Sequence, residues 1–138
     1  LALFTPTSDD YMGLFAAFAI VIIDYLVAYT LLGLGGAFRN RLTPRTALCC
    51  GAVLALSARY LCHVVSGFVL FSGWAEWFFT QEGFPGWGLS LVETLSPAAL
   101  GWIYSIVYNG MYMIPEMILT AAAALLIAKI PQVVETVS

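Results

Sequence analysis

The chain has 138 residues, of which 62% are hydrophobic and 9% are charged, and its mean hydropathy is +0.93. Soluble domains contain about 45–50% apolar and about 25% charged residues, so this composition indicates an integral membrane protein. The net charge is −3 and no run of basic residues occurs, which argues against nucleic acid as a partner.

The first predicted membrane span covers about residues 11–38, which are apolar apart from Asp24. About 20 apolar residues cross a ~30 Å hydrocarbon core, so this segment is long enough. Asp9 or Asp10 is expected to cap its N-terminus, because a carboxylate accepts from the free amides of a first helical turn. Three glycines near the far end are expected either to permit close helix packing or to loosen that end: Gly33, Gly35 and Gly36.

The second predicted span covers about residues 45–72 and follows a loop rich in arginine. This loop holds three of the five Lys and Arg residues of the chain. By the positive-inside rule it is cytoplasmic, so the second span runs from inside to outside. Thr43 and Pro44 fit the N-cap and the first helical position. The cysteines have no metal-ligand spacing and are predicted to be small buried apolar groups: Cys49, Cys50 and Cys62.

A polar stripe crosses this second span. On a helix, Arg59, His63, Ser66 and Gly67 are spaced i, i+4, i+7 and i+8 and therefore share one face. Polar and ionisable side chains are costly against lipid. We therefore expect the stripe to face a partner helix, a water-filled cavity or a ligand.

The third span is predicted over about residues 97–130, after a segment of different character. Residues 73–96 interleave tryptophan and phenylalanine with glutamate and glycine and hold no lysine or arginine, which is typical of an interfacial segment on the outer side. A short interfacial helix is expected over residues 87–95. In the third span, Asn109-Gly110 and Pro115 predict a short helix, a break or kink, and then a helix from about residue 112 to 130.

Each intramembrane polar residue has a structural and a functional interpretation. Asp24 either forms an ion pair with Arg59 or faces a ligand, and we favour the ligand because intramembrane acids usually mark a substrate or ion path. Arg59 is interpreted as a structural support. His63 makes either an interhelical hydrogen bond or a ligand contact. Asn109 is either a turn residue or a site residue, and Glu116 either starts a helix or acts at the site.

The aromatic residues near these polar groups mostly predict interface anchors and packing. Their position beside a carboxylate, a histidine and an amide changes that interpretation. Aromatic faces attract cations, and a few polar groups can fix the orientation of a bound ring. The combination predicts a pocket for a flat, partly cationic ring system.

Three runs of sequence, on three consecutive predicted spans, resemble a known family. They are DYLVAY at residues 24–29, followed by a glycine-rich end, RYLCHVVSG at 59–67 and YSIVYNGMYMIPE at 104–116. The chain resembles the thiamine-specific substrate-binding subunit of energy-coupling factor transporters, the ThiT or YuaJ family. The resemblance implies an all-α, six-helix, multi-pass bundle in a prokaryotic cell membrane, of which residues 1–138 form a single membrane domain with spans 4–6. Because the chain begins with Leu1 rather than Met, we expect it to be N-terminally incomplete.

The resemblance also implies the residues of a thiamine site. Asp24 stands where the family has an acidic residue, usually glutamate, and would balance the thiazolium charge or pair with the aminopyrimidine. His63, Tyr104 and Asn109 would orient the ligand, and Phe71 or Trp74 would stack on a ring. The remaining members of the predicted site are Ser66, Gly67 and Tyr108.

The partners implied by the resemblance are thiamine, membrane lipid, a transmembrane coupling subunit and two ATPase subunits. The chain contains no Gly-rich phosphate loop, so ATP hydrolysis is assigned to the partner chains, and we predict neither catalysis nor a cofactor or metal. One alternative is a binding subunit for another vitamin or a precursor. A less favoured alternative is a membrane enzyme that uses Asp24, His63 and Glu116 as acid and base groups.

Overall fold

The structure, a computed structural model, describes residues 10–137, and no strand occurs in that range. Three helical segments are long and apolar enough to cross a membrane: Ala17–Gly36, Pro44–Thr80 and Pro97–Ile127. The all-α membrane fold predicted from composition is therefore confirmed. The predicted cap at Asp9 or Asp10 lies outside the described side chains.

The first helix, α1, covers residues 10–36 and changes its winding along its length. Its successive parts are the α-helical Asp10–Ile20, the π-helical Val21–Val27, the α-helical Ala28–Thr30 and the 3-10 helical Leu31–Gly36. Asp24 lies at the centre of the π-helical part, where the amide of Ala28 donates to the carbonyl of Ile23. This i→i+5 pattern is rare and occurs frequently at functional sites.

The second helix, α2, covers Pro44–Phe71, against a predicted span of 45–72. Thr43 occupies the N-cap position and Pro44 the first turn, where the missing N–H of proline costs nothing. The Thr43 hydroxyl hydrogen-bonds the Thr46 hydroxyl at 2.9 Å rather than a backbone amide. A 3-10 turn, Ser72–Trp74, continues the helix beyond Phe71.

Two short helices form the aromatic segment between the second and third spans. They are α3, Ala75–Thr80, which the sequence did not predict, and α4, Trp87–Thr94, at the position of the predicted interfacial helix. Phe78 and Phe79 are buried and form a cluster with Leu100 and Tyr104. The segment therefore packs onto the start of the third span through its aromatic rings.

The third span is one continuous helix, α5, over Pro97–Ile127, and a short helix, α6, follows at Pro131–Val137. Of the predicted break or kink, the break is wrong, because the helix continues through Asn109, Gly110 and Pro115. The Asn109 amide group donates to the carbonyls of Ser105 at 2.9 Å and of His63 at 3.1 Å, so it supports the helix and its contact with α2 instead of starting a turn.

Helix α2 packs against α1 on one side and α5 on the other. A Cβ atom on Gly51 would overlap the carbonyl oxygen of Gly35, so the backbones of α1 and α2 touch, which is the first of the two alternatives that the glycine pattern left open. On the other side, Ser105 donates to the Val64 carbonyl at 2.6 Å and Tyr60 donates to the Ile106 carbonyl at 2.9 Å. These contacts hold the polar stripe of α2 between its two neighbours.

The prediction of buried cysteines is wrong. Cys50 is exposed, and Cys49 and Cys62 are partly exposed. Cys62 donates to the Ile23 carbonyl at 3.3 Å, next to Asp24.

Candidate functional site

Two side chains of α2 bind the Asp24 carboxylate of α1. His63 Nδ1 lies 3.0 Å from Asp24 Oδ1, and the Ser66 hydroxyl donates to the same oxygen. His63 and Ser66 face Asp24 together because they are one turn apart on α2. Both bonds end on Oδ1, and within residues 10–137 no hydrogen bond is recorded to Oδ2.

A second polar group, on α5, lies beside this carboxylate site. Asn109 is buried, and its amide group donates to the backbone carbonyl of His63 on α2. Its carbonyl oxygen accepts a 2.5 Å hydrogen bond from the Tyr112 hydroxyl. The amide nitrogen and the carbonyl oxygen of the Asn109 side chain therefore both make hydrogen bonds. The Tyr112 ring lies 6.4 Å from the His63 ring, edge to face.

These groups border one cavity of about 360 Å³, within the roughly 300–1,000 Å³ of small-molecule sites. The cavity lies between α1, α2 and α5. Its lining residues are Ile20, Asp24, Tyr25, Tyr29, Arg59, His63, Ser66, Gly67, Phe71, Tyr104, Tyr108, Asn109 and Tyr112.

Tyrosine rings form two walls of the cavity. On α1, the Tyr25 and Tyr29 rings are stacked, with centroids 6.2 Å apart. On α5, Tyr108 lies between Tyr104 and Tyr112, at centroid distances of 5.6 and 6.4 Å. Each set is spaced by four residues and therefore follows one helix face. The cavity combines aromatic faces with one carboxylate, an arrangement that suits an aromatic cation.

Arg59 pairs with Glu116, which is against the less favoured alternative of an Asp24–Arg59 ion pair. Arg59 Nη1 lies 2.7 Å from Glu116 Oε1, and the guanidinium carbon is 5.2 Å from the centre of the Tyr29 ring. Arg59 thereby connects α1, α2 and α5. Its side chain also borders the cavity, although the sequence indicated only a structural role.

Two nitrogen atoms at the site are buried and have no hydrogen-bond partner among the described residues. They are Arg59 Nε and His63 Nε2. A buried donor or acceptor left without a partner costs about 1–3 kcal/mol. His63 Nε2 is therefore available to a polar atom of a bound molecule, while Nδ1 is held by Asp24.

The structure brings eight of the nine predicted site residues to the cavity: Asp24, His63, Ser66, Gly67, Phe71, Tyr104, Tyr108 and Asn109. Trp74 does not line it. Its indole ring is about half exposed and contacts Trp77 edge to face at 5.8 Å, so Phe71 is the one of the two stacking candidates that borders the cavity.

Sequence reasoning did not assign the tyrosines of α1 and the last tyrosine of α5 to the site. The signal that could have found Tyr25, Tyr29 and Tyr112 is their four-residue spacing, which places Tyr25 and Tyr29 on one face and continues the face of Tyr104 and Tyr108. The spacing alone is equally typical of a packed helix face. The Asp24 carboxylate beside Tyr25 is what distinguishes a ligand site from a packed helix face.

The fold and the cavity define a multi-pass α-helical membrane protein with a polar, aromatic-walled cavity between its spans. Over residues 7–135 the chain matches the family described as thiamine transporter protein (Thia_YuaJ), and it belongs to that family. Thiamine transporter ThiT of Bacillus subtilis (strain 168) is 28% identical over 111 residues, which cover 73% of this chain and 47% of that protein. The chain thus spans about half the length of this curated relative. No solved structure matches the chain significantly.

Proposed function

We propose that this chain binds thiamine in the cavity between α1, α2 and α5, as the substrate-binding part of a membrane uptake system. Thiamine carries a permanently cationic thiazolium ring and an aminopyrimidine ring. The observation that carries the proposal is the convergence of Asp24, His63 and Asn109, from three helices, on one cavity walled by tyrosine. Membership of a thiamine transporter family supports the choice of ligand.

Asp24 supplies the negative charge of the proposed site. His63 and Ser66 hold its Oδ1, which leaves Oδ2 for the ligand. A carboxylate fixed in this way is preorganised, so little side-chain entropy is lost when the ligand binds. The oxygen either accepts from the aminopyrimidine amine or lies against the thiazolium ring, and in both cases the charge favours the cation.

The other cavity residues orient the two rings. His63 Nε2 is buried, has no hydrogen-bond partner among residues 10–137, and can exchange a hydrogen bond with a ring nitrogen or the amine. Tyr104, Tyr108 and Phe71 offer faces for stacking, where each aromatic contact with a cation contributes about 0.5–2 kcal/mol. Specificity then comes from the polar groups, and a large part of the affinity comes from the rings.

The proposed uptake system includes further subunits, a transmembrane coupling protein and two ATPases. This part of the proposal is supported by the resemblance of the three sequence runs, since the matched family and relative are named only as thiamine transporters. The protein itself is proposed to bind and release thiamine without chemical change.

The decisive experiment is a thiamine titration of the full-length protein in nanodiscs, followed by intrinsic tryptophan fluorescence. We expect saturable binding, and at least tenfold weaker binding for Asp24→Asn, which keeps the size of the side chain and removes its charge. A tenfold change corresponds to about 1.4 kcal/mol. Glu93→Gln is the matched control, because Glu93 is an exposed acid on α4 outside the cavity.

Several outcomes would contradict the proposal. If thiamine fails to bind, while another vitamin or a thiamine precursor in the same ligand panel does, the ligand assignment is wrong and the binding role stands. If Asp24→Asn binds like the unchanged protein, the cavity is not the site. If the purified protein converts thiamine to a product, the enzyme alternative replaces the binding role.

A further inference from the structure

The π-helical segment of α1, Val21–Val27, is bound to α2 by hydrogen bonds and contains no buried residue. In the part of the chain that the structure describes, the hydrogen bonds recorded between this segment and other helices all involve α2. The side chains that make them are Cys62, His63 and Ser66. His63 and Ser66 bind the Asp24 carboxylate, whereas Cys62 binds the backbone.

Cys62 binds a backbone carbonyl at which the winding of α1 changes. Its thiol donates to the Ile23 carbonyl, with 3.3 Å between sulfur and oxygen. The same carbonyl accepts from the amide of Ala28, and that amide also donates to the Tyr25 carbonyl. In an α-helix the amide of Ala28 would donate to the carbonyl of Asp24, four residues back. The thiol therefore contacts the π-helical segment at the residue that precedes Asp24.

Two side chains on one face of α2 thus bind two consecutive residues of α1. Cys62 and Ser66 are one helical turn apart, so they lie on the same face of α2. Cys62 donates to the backbone of Ile23, and Ser66 donates to the carboxylate of Asp24. The first contact fixes the main chain that carries Asp24, and the second fixes the carboxylate itself.

The winding of α1 decides where the Asp24 carboxylate lies. The i→i+5 pattern is rare, so α1 would favour the α-helical pattern if nothing held the π-helical segment. A return to i→i+4 bonds removes one residue from the turn, and one residue of an α-helix corresponds to a rotation of about 100°. The short side chain of Asp24 cannot follow a rotation of that size and still bind both His63 and Ser66.

We propose that Cys62 is a positioning residue of the thiamine site: its thiol holds the π-helical segment and thereby keeps the Asp24 carboxylate where the ligand meets it. Cys62 does not border the cavity, so it acts through Asp24 rather than on a bound molecule. A thiol is a weak donor, but it matters here because no side chain of the segment is buried. The inference rests on the proposed function, in which Asp24 supplies the charge that binds thiamine.

The test compares Cys62→Ala, which removes the thiol, with Cys62→Ser, which keeps a hydrogen-bond donor, in the full-length protein in nanodiscs. We expect Cys62→Ala to raise the dissociation constant of thiamine about three- to tenfold, as the loss of one hydrogen bond does. Cys62→Ser should stay within about twofold of the unchanged protein, because a hydroxyl donates in place of the thiol. Cys49→Ala is the matched control, since Cys49 is a partly exposed cysteine of the same helix outside the cavity. It should leave the dissociation constant unchanged.

A second measurement separates positioning from a general loss of stability. Cys62→Ala is combined with Asp24→Asn, which already lacks the charge that Cys62 is proposed to position. In this background Cys62→Ala should change the dissociation constant by less than about twofold, because residues that act through one another are not additive. A structural role alone would weaken binding by the same factor in both backgrounds.

An unchanged dissociation constant for Cys62→Ala would overturn the inference, and so would an equal loss in the two backgrounds. A loss in Cys62→Ser as large as in Cys62→Ala would assign the effect to the size of the sulfur atom and would also overturn it. In these cases the unchanged protein still binds thiamine and Asp24→Asn still weakens binding, so the proposed function stands. If thiamine does not bind, or if Asp24→Asn has no effect, the proposed site and the inference fail together.

Discussion

Gly67 lines the cavity and also sets the distance between α2 and α5. A Cβ atom at this position would overlap the Ser105 hydroxyl and lie 2.9 Å from Asn109 Nδ2. Ser105 and Asn109 are themselves fixed by hydrogen bonds to the backbone of α2. A single methyl group here therefore disturbs helix packing and the polar wall of the cavity together.

We predict that Gly67→Ala lowers the free energy of unfolding by about 1–3 kcal/mol, the usual cost of overpacking a tight contact. Thermal unfolding in detergent, followed by tryptophan fluorescence, measures this change. Gly73→Ala is the control, because no atom of the described part of the chain lies within 4 Å of a Cβ built on Gly73. A Gly67→Ala protein as stable as the Gly73→Ala protein would show that the two helices separate easily.

Arg59 and Glu116 form an ion pair between α2 and α5, with side chains 16% and 38% exposed. Removing one partner leaves the other charge partly buried and unpaired. We predict that Arg59→Gln and Glu116→Gln each destabilise the protein, and that the double variant loses less than the sum of the two.

A double-mutant cycle on the free energy of unfolding measures the coupling, which should be about 0.5–3 kcal/mol for residues in contact. The cycle that combines Arg59→Gln with Asp24→Asn is the comparison and should give a smaller coupling, since the carboxylate of Asp24 is bound by His63 and Ser66. The reverse order of the two couplings would support the Asp24–Arg59 pair, the alternative that the sequence analysis did not favour.

At the level of whole elements, α3 supports the tyrosine wall of α5 from outside the cavity. The Phe78 ring lies 5.3 Å from Tyr104 and 5.9 Å from Tyr108, edge to face in both cases. Phe78 does not border the cavity itself. It acts on a ligand only through the orientation of the two tyrosines, which makes it a positioning residue.

We predict that Phe78→Leu weakens thiamine binding about two- to tenfold, since an aromatic pair contributes about 0.5–1.5 kcal/mol beyond its buried area. Phe84→Leu is the matched control, because Phe84 contacts Phe78, Phe79 and Trp87 but no cavity tyrosine. Both variants should lower the unfolding temperature, and only Phe78→Leu should change the dissociation constant. Equal affinity in the two variants would assign Phe78 to folding alone.

Local signals in the sequence were sufficient for some elements and not for others. Thr43-Pro44 marks the start of α2 because the N-cap and first-turn preferences depend on adjacent residues alone. The π-helical Val21–Val27 and the unbroken course of α5 through Asn109 depend on contacts made across the bundle. Asn109 bonds to the carbonyl of His63, 46 residues away in sequence, and no local propensity contains that partner.

The difference between local sequence signals and contacts across the bundle also applies to the candidate site. Helical periodicity placed His63, Ser66 and Gly67 on one face, and the structure brings this face to the cavity. Which acid pairs with Arg59 could not be predicted, because Asp24 and Glu116 are both within spans that neighbour α2. The choice depends on the relative rotation of α1 and α5, which side-chain packing along their full length determines.

On the scale of the whole molecule, the described helices leave most of their apolar surface uncovered. In an apolar 18-residue stretch of each span, the share of residues that are buried is 6% for α1, 28% for the segment that contains α2, and 17% for α5. The second value is the highest because α2 lies between the other two spans. Lipid or further protein must cover the remaining faces, since no other environment solvates so many apolar side chains.

The depth of Asp24 and His63 in the spans also decides how the proposed site responds to an electric field. A monovalent cation that reaches Asp24 from outside moves one elementary charge part of the way across the membrane. His63 lies eight residues before the end of α2, so the site is about 12 Å, or about two fifths of a ~30 Å core, from that end. At 100 mV, inside negative, this depth contributes about 0.9 kcal/mol. The membrane voltage of an energised cell would itself favour binding of a cation from outside, roughly fivefold.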